Sequence, residues 1–158
     1  MAEAVGPGYP VEFKRTACGC AECVQCCRDQ PGPLAPGDLQ RIARSLGKTV
    51  ADALGLFVAL PGAVVKDTRT GRVWQIGTIA PLSDRSGRCV FLGADDRCKV
   101  HAVAPFGCAY ADPHMPEEVW APRAKWLYLT VQADAAYQSL RRTLQAARSW
   151  NPRTGRAT

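Results

Sequence analysis

The chain is short of histidine and without a long hydrophobic run. There are two histidines. The longest apolar stretch, ALGLFVALPGAVV from Ala53, is interrupted by Pro61 and falls short of the roughly 20 residues a membrane-spanning helix needs. The opening residues, MAEAVGPGYPVEFKRT, contain no apolar core of the kind that directs export. The expected location is therefore a reducing cytoplasm, where structural disulfides are rare. A glycine-rich phosphate loop, a nucleophile elbow and a close carboxylate pair are also missing, so no nucleotide, acyl-transfer or glycosidase chemistry is indicated. No internal repeat and no low-complexity tract is evident. Net charge is +6, concentrated in Arg141, Arg142, Arg148, Arg153 and Arg156. In the absence of a nucleic-acid-binding motif, these read as cations at the end of a solvated helix.

Cysteine, by contrast, is plentiful. There are eight in 158 residues, and CGCAECVQCC (18–27) packs five into ten positions. In a reducing compartment that crowding points to metal or redox chemistry rather than to disulfides. Cys20, Cys23 and Cys26 are spaced CxxCxxC, with Cys27 directly behind. Two intervening residues let the chain curl so that successive sulfurs face one ion, and a cation between thiolates removes their mutual repulsion. Adjacent Cys26 and Cys27 cannot easily point the same way, so one is expected to turn toward a second ion or toward Cys89, Cys98 and Cys108.

The rest reads as a single α+β domain over 1–158: a small, irregular, metal-nucleated core with short helices, a β-hairpin and a long C-terminal helix. Residues 1–17 read as irregular, and the cysteine run as one loop. Asp38 is placed to N-cap a short helix with Leu39, Ile42, Ala43 and Leu46 on one face and Gly47 ending it. Thr49 to Leu60 reads as a second helical segment closed by Pro61–Gly62. AVVKDTRTGRVWQIGTIAPL reads as a hairpin around TRTG. Past Pro122 the spacing of Trp126, Thr130, Ala133, Tyr137, Leu140, Leu144 and Ala147 predicts one helix, about 123–150, packed on its own domain.

CAECVQCC, then CVFL, then CKVHAVAPFGC together resemble the YkgJ-type cysteine-cluster family, whose members are described as zinc- or iron-chelating domains. Cys20, Cys23, Cys26 and Cys27 match its CxxCxxCC run. Cys89, Phe91 and Leu92 match its CxFL segment, and Cys98, Val100, Pro105 and Cys108 its CxIYxxRPxxC segment. The similarity covers roughly residues 13–112. Val24, His101 and Ala104 depart from the family's usual Gly, Tyr and Arg; the last removes a cation that could balance cluster charge. Cys18 lies outside the pattern. The resemblance implies that the seven matching cysteines are metal ligands, in one site or two adjoining ones.

Two tetrahedral zinc sites would take eight ligands, the seven plus His101 or Cys18. A CxxCxxC run completed by a remote cysteine is instead how ferredoxin-like chains hold an iron–sulfur cluster of the 4Fe–4S type, and this is the favoured reading. The expected function is electron transfer, or service as a redox accessory to a protein partner. The alternative is a zinc-stabilised interaction module without a redox role. His101 is read as a ligand to, or packing against, a sulfur. His114, in DPHMP, is read as a solvent-exposed loop residue.

Overall fold

The computed structural model describes residues 9–10, 12–16, 20–29, 31–111, 114–147, 150–151 and 156–157. In chain order come α1 (Ala21–Asp29), α2 (Asp38–Ser45), α3 (Val50–Ala53), β1 (Phe57–Lys66), β2 (Val73–Pro81), α4 (Phe106–Ala109), α5 (Glu117–Ala133), α6 (Ala135–Ala147), β3 (Trp150–Asn151) and β4 (Arg156–Ala157). The class is α+β. Two antiparallel pairs, β1–β2 and β3–β4, supply the strands. No helix among the described residues is long and apolar enough to cross a membrane.

The β1–β2 hairpin is the platform. It runs from the Phe57–Pro81 pair to the Lys66–Val73 pair, with a break in register between Leu60 and Ala63. Pro61–Gly62, read from the sequence as a helix stop, is that β-bulge. Proline cannot donate to a ladder and is tolerated where the ladder is already interrupted. Gly62 takes φ +75°, and a Cβ there would meet the Ile76 carbonyl oxygen at 1.6 Å. The helical segment expected over Thr49–Leu60 is correspondingly short: Thr49 caps α3 by accepting the Asp52 N–H at 3.1 Å, and the chain is already extended at Phe57.

A two-stranded hairpin is marginal alone and needs a covering layer. Here α5 and α6 pack on it while α2 and the cysteine segments close the core around Leu34, Ile42, Phe57, Ile79, Phe106 and Val131. The long C-terminal helix is present, but it starts at Glu117 and stops at Ala133. Asp134 takes an extended conformation, and its carboxylate accepts the Tyr137 N–H at 2.8 Å, opening α6. That break resets the helical phase. On α6 the expected positions Tyr137 and Leu144 are buried, whereas on α5 Leu127 and Val131 are buried in place of Thr130 and Ala133. The Tyr137 hydroxyl donates to the Leu34 carbonyl at 2.7 Å and accepts the Ile79 N–H at 2.8 Å, fastening α6 to the sheet and to the irregular segment before α2.

Asp38 does more than begin α2. Fully buried, it accepts from the Ala35 and Phe106 backbone N–H groups (both 2.8 Å), from Arg41 (2.7 Å) and from the Tyr9 hydroxyl. The N-cap position itself belongs to Gly37, at φ +91°. Asp38 therefore anchors the start of α4, two residues before Cys108. Asp38→Ala would leave two buried N–H groups and a guanidinium without their acceptor. The expected loss is about 3 kcal/mol or more, read as a drop in the urea midpoint at unchanged slope.

Residues 82–101 fold as two copies of one turn, a repeat the sequence reading did not find. Cys89 and Cys98 stand nine positions apart and occupy equivalent places. Ser83 bridges to Cys89 as Leu92 bridges to Cys98. Four backbone bonds recur in matched pairs: Asp84 N–H to Arg88 O and Gly93 N–H to Arg97 O; Gly87 N–H to Asp84 O and Asp96 N–H to Gly93 O; Val90 N–H to Leu82 O and Lys99 N–H to Phe91 O; Leu92 N–H to Cys89 O and His101 N–H to Cys98 O. Two residues before each cysteine the backbone turns left-handed, at Gly87 (φ +91°) and at Asp96 (φ +59°). The copies look unlike because glycine and aspartate reach that conformation by different means.

Candidate metal centre

The cysteine run is a helix, not the expected loop. Val24 N–H bonds to Cys20 O at 3.0 Å, and α1 carries the pattern on to Asp29. At about 100° per residue, the three- and four-residue steps from Cys20 to Cys23, Cys26 and Cys27 hold all four sulfurs to roughly one third of the helix circumference. The same geometry separates them along the axis. Cys20 and Cys27 are two turns apart, about 10 Å at 1.5 Å per residue. One ion cannot take both.

The lower end of α1 meets the doubled turn. Cys89 N–H donates to the Cys27 carbonyl at 2.6 Å, and Gly87 lies so close to the Arg28 carbonyl oxygen that a Cβ would sit 2.7 Å from it. Arg28 also pairs with Asp96 at 2.6 Å, an exposed contact worth at most about 1 kcal/mol. Cys108 arrives from α4 on the other side. Gly32 and Gly107 pack backbone to backbone, with Gly107 N–H bonded to Pro33 O at 2.9 Å, so that the Gly32 N–H donates to Cys108 Sγ at 3.2 Å.

Cys27, Cys89, Cys98 and Cys108 are thus gathered from four segments, as free thiols, around a cavity of about 480 Å³. Cys23, Cys26, Phe91, Arg97 and His101 also line it. Burial pushes the Cys89 thiol from its ordinary 9.0 up to about 11, with Cys27 and Cys98 adding to the rise. Burial likewise raises Cys108, reinforced by Cys27, Cys89 and Cys98, against the Gly32 N–H that lowers it. Cys27 is raised by burial, then by Cys98 and Cys26. Cys98 is raised by burial, offset by the Val100 N–H and by Arg15. Were they ionised, Cys108 would feel the charges of Cys27, Cys89 and Cys98, and Cys89 those of Cys27 and Cys98, a repulsion that a shared cation removes. Arg15, which donates to the Ala102 carbonyl (2.9 Å) and the His101 carbonyl, brings positive charge to the segment that follows Cys98.

These shifts fix the pH response. The metal-free protein gains from keeping its thiols neutral, a gain present below about pH 9 and lost as pH rises toward about 11. Metal binding runs the other way, because each ligand must lose its proton. Apparent affinity is expected to fall about tenfold per displaced proton for each pH unit below the thiol pKa, steeply when four thiols act together. Competition with a chelator at a series of pH values checks both signs.

The upper end of α1 faces a different residue. Cys20 Sγ lies 3.1 Å from His114 Nε2, and His114 Nδ1 lies 3.3 Å from Glu22 Oε2. The ligand atoms of Cys20, Cys23 and His114 all fall within 4.8 Å of one another, the one such group of three among the described residues. His114, read as a plain loop histidine, is the functional candidate the sequence reading missed. It lies 94 residues from Cys20, and no local spacing could join them. His101 lines the cavity and is exposed. Cys26 is exposed beside Cys27 and also lines the cavity. Cys18 lies outside the described residues.

A backbone N–H aimed at sulfur, thiols converging from distant segments and a histidine beside two cysteines together define a zinc- or iron-chelating cysteine-cluster domain. The comparison with family models agrees: "CxxCxxCC: Putative zinc- or iron-chelating domain" matches residues 19–126, and the chain belongs to that family. The match runs past the cysteines into α5, beyond the 13–112 expected from the motifs. No curated protein and no solved structure matches the chain.

Proposed function

We propose that Cys27, Cys89, Cys98 and Cys108 hold an iron–sulfur cluster, and that the protein serves in electron transfer or as a redox accessory to a partner enzyme in the cytoplasm. The observation that carries this reading is the spread of the four sulfurs. A single zinc ion bonded at about 2.3 Å needs its sulfurs about 3.8 Å apart. No three of these four lie within 4.8 Å of one another, yet all four surround one cavity. A polynuclear cluster would bridge thiols set wider than one ion allows, and the Gly32 N–H on Cys108 is the kind of bond that tunes a cluster's potential. The cavity is lined by exposed Cys26, Arg97 and His101, so electrons need not cross the core to reach a partner. Exposed Arg15 and Arg97 near it favour an acidic face on that partner.

Protein purified without oxygen should be brown. Dithionite should bleach it, mild reoxidation should restore it, and the reduced form should give a paramagnetic signal. Colourless protein that binds only zinc would favour the interaction-module reading and remove this one.

A further inference from the structure

We infer that Cys20, Cys23 and His114 form a second metal site, adjoining the inner thiol cavity that Cys23 also borders and suited to one zinc-like divalent ion, with Glu22 as the residue that positions the histidine. Size supports the assignment. Zn–S near 2.3 Å and Zn–N near 2.0 Å in a tetrahedron put sulfur and nitrogen about 3.5 Å apart. Cys20 Sγ and His114 Nε2 are 3.1 Å apart, and all three ligand atoms lie within 4.8 Å. The site is therefore drawn to the scale of one ion, as the inner one is not. Helix geometry sets Cys20 about 10 Å along α1 from Cys27, and Cys20 and His114 lie outside the lining of the inner cavity, with Cys23 at its edge.

Glu22 completes the arrangement. Its Oε2 faces His114 Nδ1 at 3.3 Å, a placement that favours the tautomer with hydrogen on Nδ1 and so would leave the Nε2 lone pair toward Cys20 for the ion. A metal-binding histidine characteristically gives its second N–H to such a carboxylate. Both side chains are well exposed, and an exposed pair of this kind contributes little to stability. Orientation is what it supplies. Two cysteines and a histidine match the borderline-soft preference of zinc, whereas an all-thiolate set suits iron–sulfur. The ion would also tie α1 to the segment leading into α5, closing a loop of more than ninety residues.

The test uses the full chain, prepared anaerobically, with zinc counted by elemental analysis and with Co(II) as a spectroscopic probe. Wild type should take up one ion showing tetrahedral cobalt bands with thiolate charge transfer. His114→Ala and Cys20→Ser should each lose that ion and keep any colour of the inner site. Glu22→Ala should bind zinc about 10- to 100-fold more weakly. Glu22→Gln, which still offers an oxygen to Nδ1–H, should recover part of the loss. Zinc content unchanged in His114→Ala, or full affinity in Glu22→Ala, would overturn the inference. So would metal lost from both sites at once. A colourless wild type with His114-dependent zinc would remove the cluster reading and leave this one standing.

Discussion

Gly107→Ala is expected to yield protein that is insoluble or stripped of its inner metal. A Cβ at this position would lie 2.3 Å from Pro33 Cδ, 2.5 Å from Pro33 N and 2.8 Å from the Gly32 carbonyl carbon. Contacts below 3 Å with backbone and a proline ring leave nothing flexible to yield. The two strands of chain must part, at a cost of about 3 kcal/mol or more. Parting them moves the Gly32 N–H away from Cys108 and shifts one of the four thiols. Gly32→Ala should behave alike, because its Cβ would meet Gly107 C at 2.1 Å. Gly71→Ala is the control: no atom lies within 4 Å of its Cβ position, and the only strain is its φ of +70°. It should cost about 1 kcal/mol and leave metal content intact.

The second large effect is on removal of metal. The inner thiols come from α1, the doubled turn and α4, and those segments share a few backbone bonds and one part of the core around Phe91 and Leu92. Metal binding of this type contributes on the order of 10 kcal/mol, comparable with the whole stability of a domain this size. Stripping it anaerobically should abolish near-UV dichroism and amide protection across 20–29 and 82–108. The platform of β1, β2, α5 and α6 holds together through Leu127, Val131, Tyr137 and Leu144, and should retain part of its helical signal. Unchanged melting and dichroism after stripping would make the metal a passenger.

The apolar periodicity told where α2 would bury its face and placed Tyr137 and Leu144 of α6 correctly, although Leu140 is only half-buried and Ala147 is exposed. It misplaced α5 by one residue, because Asp134 breaks the helix and a stripe drawn through the break must drift. Pro61–Gly62 read as a stop because proline and glycine mark bulges as readily as helix ends; only the pairing of Leu60 with Thr78 and Ala63 with Ile76 tells the two apart. The cysteines themselves were legible, as was the need for distant segments to meet. Their division was not. It depends on α1 being helical, which sets Cys20 and Cys27 two turns apart, and on His114 arriving through tertiary packing. The doubled turn stayed hidden because its repeat lies in backbone conformation, with Gly87 in one copy and Asp96 in the other.

The most direct test is to quantify iron, acid-labile sulfide and zinc in a single anaerobic preparation of the full chain. The account predicts iron and sulfide in equal amounts, about four of each per chain as in a cubane cluster, together with about one zinc. Zinc without sulfide, or iron bound in the absence of sulfide, would contradict it.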